Sequence, residues 1–415
     1  MLGPGLLWAG TAIGVSHLVQ STRAGAGFGM GLLWLILLAN FFKYPAFEAG
    51  PRYTAATGFS LLEGYRRRGT WVIYVFIALS FSTMFTVIAA VTIVTSGMAS
   101  ALVTDAIPTF GWAAILMVSA VGLLAVGQYK ALEGFMKAMM VLLTVSTVTC
   151  VVVLLPKVEW GAMGWMPTGP ELTASNLVLL AAIAGWMPSA LDTAVWSSLW
   201  SLEKSAASGK PVNPDETFFD FNVGYIGTVT LACMFVFMGA AVLFGSGEEI
   251  PNGAGAFATM LVNVYTAALG EWIRPVILVA AFSTMLSTTI ACTDGFPRAV
   301  EGAILRLQHG AEVQGSTAGK RSPAYWGILA LCVLVAWLII YQFTGHLKAL
   351  VDLATGLTGV TGFAFAVLNY TVVTAEEVPE AFRPSPLYRA WHIGGMVFLL
   401  CMAVMYIVGR FGLIA

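Results

Sequence analysis

The stretch Gly3 to Gly29, GPGLLWAGTAIGVSHLVQSTRAGAGFG, constrains this chain more than any other. At about 1.5 Å per residue it is long enough to cross the hydrocarbon of a bilayer. Yet Gly14-Val15-Ser16-His17 stands at its middle, putting a glycine, a hydroxyl and an imidazole where an anchor needs only apolar side chains. A helix broken at that depth frees backbone N–H and C=O groups, which is tolerable only where protein or a water-filled cavity satisfies them. The second half repeats the device: the apolar segment from about Asn176 to Leu202 is interrupted by Ala184-Gly185-Trp186-Met187-Pro188-Ser189. Paired interrupted spans at corresponding positions of two halves mark a carrier, with its binding site at the interface between the repeats.

The rest of the composition agrees. Apolar residues make up 58% of the chain and charged ones only 10%, against roughly 25% charge in soluble domains. All 415 residues (1–415) therefore read as one polytopic membrane domain. A formal charge of -1 and no basic stripe exclude a nucleic-acid partner. The five cysteines lie in apolar runs without CxxC spacing, which suggests neither a zinc site nor a disulfide framework, and no cofactor is implied. The N-terminus has no basic leader region, so it reads as the first span and not as a removed signal.

Apolar runs near 4–28, 31–54, 71–100, 111–127, 136–155, 176–202, 219–245, 272–295, 325–342, 348–373 and 390–411 give eleven spans. The segment 253–269 reads as an external helical loop, and the polar stretch 308–322 as a linker. With the N-terminus inside, the inner loops hold most of the Lys and Arg, among them Arg66, Arg67, Arg68, Lys204, Arg298 and Arg306. The positive-inside rule then puts the N-terminus in the cytoplasm and the C-terminus outside. Because span six starts from the opposite side to span one, two five-span units become antiparallel. The expected fold is all-α, a LeuT-like inverted repeat of 5+5 transmembrane helices plus an eleventh, with helices 1 and 6 broken. Repeat one covers about 1–160, repeat two about 170–375 and the extra helix about 388–412.

Several stretches resemble the NRAMP family of divalent-metal transporters. Gly3-Pro4-Gly5 and Phe28-Gly29 match the two ends of that family's first helix, and Met187-Pro188 matches the start of its MPHN motif, with Ala184 three residues before. Leu33-Trp34, Leu38-Ala39-Asn40, Ala55-Ala56-Thr57-Gly58 and Glu301-Gly302 are also similar. The resemblance implies secondary transport of a divalent metal in a membrane, here taken as a bacterial inner membrane. The departures fall on the site. The family's DPGN reads Gly14, Val15, Ser16, His17, its MPHN reads Met187, Pro188, Ser189, Ala190, and a further histidine falls at Ala194. The acidic residues of its third helix have no counterpart in Ser82-Thr83-Met84-Phe85-Thr86. The usual binding of Mn or Fe is therefore not expected.

The expected substrate site comprises Gly14, Ser16, His17, Ala184, Trp186, Met187 and Ser189. A Met187 thioether with a His17 imidazole would suit a thiophilic or borderline transition metal. Without a carboxylate at the usual place, a carrier for a small organic solute or organic cation is the alternative, with Trp186 as an aromatic face. Asp192 has no basic residue three or four positions away, and an ionisable group at mid-membrane is a functional candidate. His17 is its expected partner and Lys43 the second choice. Asp352 with Lys348, Asp294 with Arg298 and Glu48 with Arg52 are expected local ion pairs. Gly356, Gly359 and Gly362 allow close helix packing. No HExxH, GxSxG or GxxxxGK[ST] occurs, so the chain reads as neither an enzyme nor an ATP-driven pump, leaving a non-transporting sensor as the competing class.

Overall fold

The computed structural model describes residues 3–126, 129–166, 173–310 and 321–412. The described residues form fifteen α-helices. In order they are α1 (Pro4–Ala12), α2 (Thr22–Phe28), α3 (Leu33–Thr57), α4 (Leu61–Arg68), α5 (Thr70–Leu102), α6 (Thr109–Val126), α7 (Tyr129–Leu154) and α8 (Ala174–Trp186). Then come α9 (Thr193–Ser208), α10 (Pro214–Val242), α11 (Ala254–Leu269), α12 (Arg274–His309), α13 (Pro323–Gln342), α14 (Leu347–Val373) and α15 (Pro386–Arg410). Helices α1 and α2 make one broken span, α8 and α9 the other, and α11 is the expected helical loop between spans seven and eight. Helix α12 runs on to His309, well past the expected end near 295. Most of the expected polar linker, at 311–320, lies outside the described residues.

The span starts follow from local chemistry. Asn213-Pro214, Ser322-Pro323 and Ser385-Pro386 open α10, α13 and α15. In each, the capping side chain accepts from the N–H three residues on, at 3.3 Å. Proline at the first helical position gives up an N–H that has no partner there anyway.

The packing exchanges between the halves as an inverted repeat requires. Helix α9 lies on α3 as α2 lies on α10, α14 lies on α5 as α7 lies on α12, and α5 and α12 pack on each other. Backbones touch where glycines permit it. A Cβ on Gly25 would meet the backbone of Val236 and Ala240, and one on Gly239 would meet that of Thr22 and Ala26. Gly5 and Gly224 make the same reciprocal approach between α1 and α10. Gly185 of α8 meets Thr355 and Gly359 of α14, and Gly50 of α3 meets Ala194 of α9. The small-residue reading of span ten thus holds, with Gly356 against the Tyr406 ring.

Arg66 and Arg67 do more than mark topology. They close over the fully buried Glu63 of α4, with nitrogen–oxygen distances of 2.7 to 3.1 Å, while Arg68 pairs with Glu377. Removing the carboxylate leaves the partly exposed Arg66 and Arg67 and the buried Arg306, 4.0 Å away, without it, and breaking a buried pair costs about 3–5 kcal/mol. Glu63→Ala is therefore expected to lower the apparent melting temperature by several degrees, with Glu63→Gln intermediate. An unchanged melting curve for both would refute the role.

Asp294–Arg298 and Glu48–Arg52 form as expected, both at 2.7 Å. Asp352 does not take Lys348. Its carboxylate receives Arg23 of α2 in a two-pronged pair at 2.6 and 3.0 Å, while Lys348 donates to the Ile250 carbonyl. A guanidinium fork matches a carboxylate better than a single ammonium does, and the approach of α2 to α14 supplies it.

Candidate functional site between the two broken spans

In the first break the chain leaves the helix at Ile13 and Gly14 and re-enters through a π-helical turn, Ser16–Ser21. Ser16 and His17 therefore sit in a widened turn and not in the unwound stretch expected from 14 to 17. In the second break α8 stays helical through Trp186 and the chain opens over 187–192, later than the expected 184–189. The Met187–Pro188 peptide is cis. The two breaks touch, since the Ser16 hydroxyl lies 3.2 Å from the Pro188 carbonyl oxygen.

Between them lies a cavity with about 30 Å³ open to the centres of water-sized spheres. A water needs some 10–15 Å³ on this measure. Gly14 and Ser16 line it from one break, and Trp186, Ser189 and Asp192 from the other. Helix α12 adds Thr288, Cys292 and Phe296. Gly14 and Thr288 are complementary, because a Cβ at 14 would lie 3.0 Å from the threonine methyl.

Asp192 is the ionisable member. It is 3% exposed, and neither carboxylate oxygen has a hydrogen-bond partner. The backbone N–H groups of Thr193 and of Asp192 itself lie beside it at the start of α9 without good hydrogen-bond geometry, and that of Thr193 donates to the Ala190 carbonyl at 3.3 Å. Burying polar atoms unpaired costs roughly 1–3 kcal/mol per group, more for a charge. The Trp186 indole N–H, also on the cavity, is likewise unpartnered. Cys292 and Lys43 are both within electrostatic reach of the carboxylate.

The expected pairing of Asp192 with His17 is not formed. His17 Nε2 faces the Thr228 carbonyl at 3.0 Å, and Nδ1 lies 2.8 Å from the Ser16 hydroxyl. A carbonyl cannot donate, so Nε2 carries a proton, and Nδ1 is engaged by the Ser16 hydroxyl. No lone pair is left for a metal. Met187 is fully buried and lies off the cavity. Ala184 also lies off it, its carbonyl receiving Lys43 Nζ at 3.2 Å. The site thus unites Gly14, Ser16, Trp186, Ser189 and Asp192, and leaves out His17, Met187, Ala184 and Lys43. Sequence reasoning missed Thr288, Cys292 and Phe296. Their spacing of four in an apolar span, which puts them on one helix face, was the available signal.

A family profile described as natural resistance-associated macrophage protein-like, Nramp, matches residues 5–409. An uncharacterised protein of Pasteurella multocida (strain Pm70) is 33% identical over 383 residues, covering 91% of this chain and 85% of its own length. Among solved structures, the manganese transporter of Eremococcus coleocola, in complex with an aromatic bis-isothiourea compound, is similar with a TM-score of 0.70 at 14% identity. That match covers 99% of this chain and 87% of the other. MhsT in complex with L-phenylalanine is similar with a TM-score of 0.65 at 12% identity, covering 99% and 98%. At such identities the two structures speak for the architecture alone.

Proposed function

Because the chain belongs to the Nramp family of membrane transporters, which are not enzymes, we propose that it is a secondary carrier of a small metal cation, with Asp192 as the charged ligand. The observation that carries this reading is the buried, unpartnered carboxylate aimed into the cavity between the two breaks. An intramembrane charge without a partner is what a carrier keeps for its cargo. The carboxylate that Gly14 cannot supply in the first break enters from the second one instead.

The donor set narrows the cargo. One carboxylate, one thiol and hydroxyls suit a borderline or soft transition metal better than Mg²⁺ or Ca²⁺, which want a full oxygen shell. The family default is a divalent cation, but manganese, named for the structural neighbour, prefers the oxygen ligands that this donor set offers only in part. The organic-cation alternative has aromatic walls in its favour in Trp186, Trp196 and Phe296. It needs far more room than the cavity gives, since sites for small molecules run to about 300–1,000 Å³. Two antiparallel units, about 1–160 and 170–375, would rock about this site, and the Lys and Arg distribution supports a cytoplasmic N-terminus.

The test is uptake into proteoliposomes holding a metal-sensitive dye. Zn²⁺ and Cd²⁺ are expected to enter faster than Mn²⁺, and Mg²⁺ not at all. Entry of no metal, with folded protein in the vesicles, would sink the proposal and favour a sensor.

A further inference from the structure

Lys43 leaves the middle of α3 and ends in a place built of carbonyls. Its side chain is 0% exposed. Nζ donates to the carbonyl oxygens of Ala184 at 3.2 Å, Gly185 at 2.8 Å and Ser189 at 2.9 Å. Two of the three oxygens come from the last turn of α8 and one from the unwound stretch that follows it. An ammonium has three donors, and all three are used. The Phe47 ring, one turn along α3, lies 5.4 Å from Nζ. Among the described residues no carboxylate forms an ion pair with Lys43, although Asp192 is within electrostatic reach.

The last carbonyls of a helix have no intrahelical donor and carry the negative end of its dipole. In carriers built on inverted repeats, such half-helix ends and unwound carbonyls coordinate the coupling cation. We propose that Lys43 is a tethered cation: its ammonium fills a carbonyl cage that would otherwise hold a free alkali ion. The wild-type carrier then has no use for sodium or potassium at the second break. The inference takes its meaning from the carrier reading above, but its test reads ion binding to the protein and not transport, so either can fail alone.

The test is thermal unfolding of the purified full chain in LiCl, NaCl, KCl or choline chloride at equal ionic strength. Wild type is expected to unfold at the same temperature in all four. Lys43→Ala empties the cage, so its melting temperature should fall in choline and recover saturably in one alkali salt, by about 5 °C or more if that ion reaches a large multiple of its dissociation constant. Lys43→Met fills the same space without charge and should stay low in every salt. Three results would overturn the proposal: Lys43→Ala indifferent to the cation, Lys43→Met rescued as well, or wild type showing the same alkali-specific shift. Lys43→Ala that folds only in an alkali salt supports it. Failure of Lys43→Ala to fold in any salt overturns it too, because a cage that accepts only a covalently attached ammonium is a helix cap and not an ion site.

Discussion

Asp192→Asn is expected to lose metal uptake and metal-dependent thermal stabilisation while melting no lower than wild type. The carboxylate supplies the one formal negative charge on a cavity otherwise lined by a thiol, hydroxyls and rings. Without it, affinity should fall by about 100-fold or more, which corresponds to about 2.7 kcal/mol. Stability should move the other way. A carboxylate with no hydrogen bond at 3% exposure is a liability in the empty protein, and a neutral amide of the same shape relieves about 1 kcal/mol of it. Lys43 is not stranded by the change, since its three carbonyls remain. Gain in one property with loss in the other is the signature of a site strained for function. The paired measurement is uptake and melting temperature on one preparation. Uptake within threefold of wild type would place the cation elsewhere, and a melting point several degrees lower would make Asp192 structural.

A large and purely structural effect is expected at Gly25. A methyl group there would collide with the backbone of α10 at Val236 and Ala240, and backbone, unlike a side chain, cannot turn aside. Overpacking of this kind costs about 1–3 kcal/mol, occasionally more. Gly25→Ala should therefore lower the apparent melting temperature steeply and cut the yield of folded protein. Gly27, two residues on in the same helix, is exposed, and a Cβ there meets nothing within 4 Å. Gly27→Ala should gain about 0.5–1 kcal/mol from the lost backbone freedom of glycine. If the two variants melt alike, the close approach of α2 and α10 is not what the structure describes.

Spans and breaks were legible because hydropathy and interrupted periodicity are local properties. Asp192 was legible for a related reason: its lack of a basic neighbour at helical spacing can be read from the chain itself. Its surroundings could not be. His17 turns away because Thr228, far along the chain on α10, offers a carbonyl, and no pattern in span one announces that. Arg23 displaces Lys348 at Asp352 for the same reason, a contact across 329 positions. The exact turn of each break also escaped. Where α8 ends depends on which donor reaches its carbonyls, and that donor, Lys43, belongs to another span. Cys292 was read as one more apolar residue, since its exposure to the cavity is a matter of how α12 is rotated.

The glycine contacts have a mechanical consequence. Both halves of the first broken span are fastened, backbone to backbone, to one uninterrupted helix: α1 through Gly5 and Gly224, α2 through Gly25 and Gly239. The halves of the second are fastened to different helices, α8 to α14 at Gly185 and α9 to α3 at Gly50. The first span is thus a strut, splinted along its length by α10, and the second is a joint. Its angle is set by how far α14 stands from α3, so a stroke that opens the cavity would be measured between those two helices. Lys43, rooted in α3 and bonded to the end of α8, ties the two sides of that joint together.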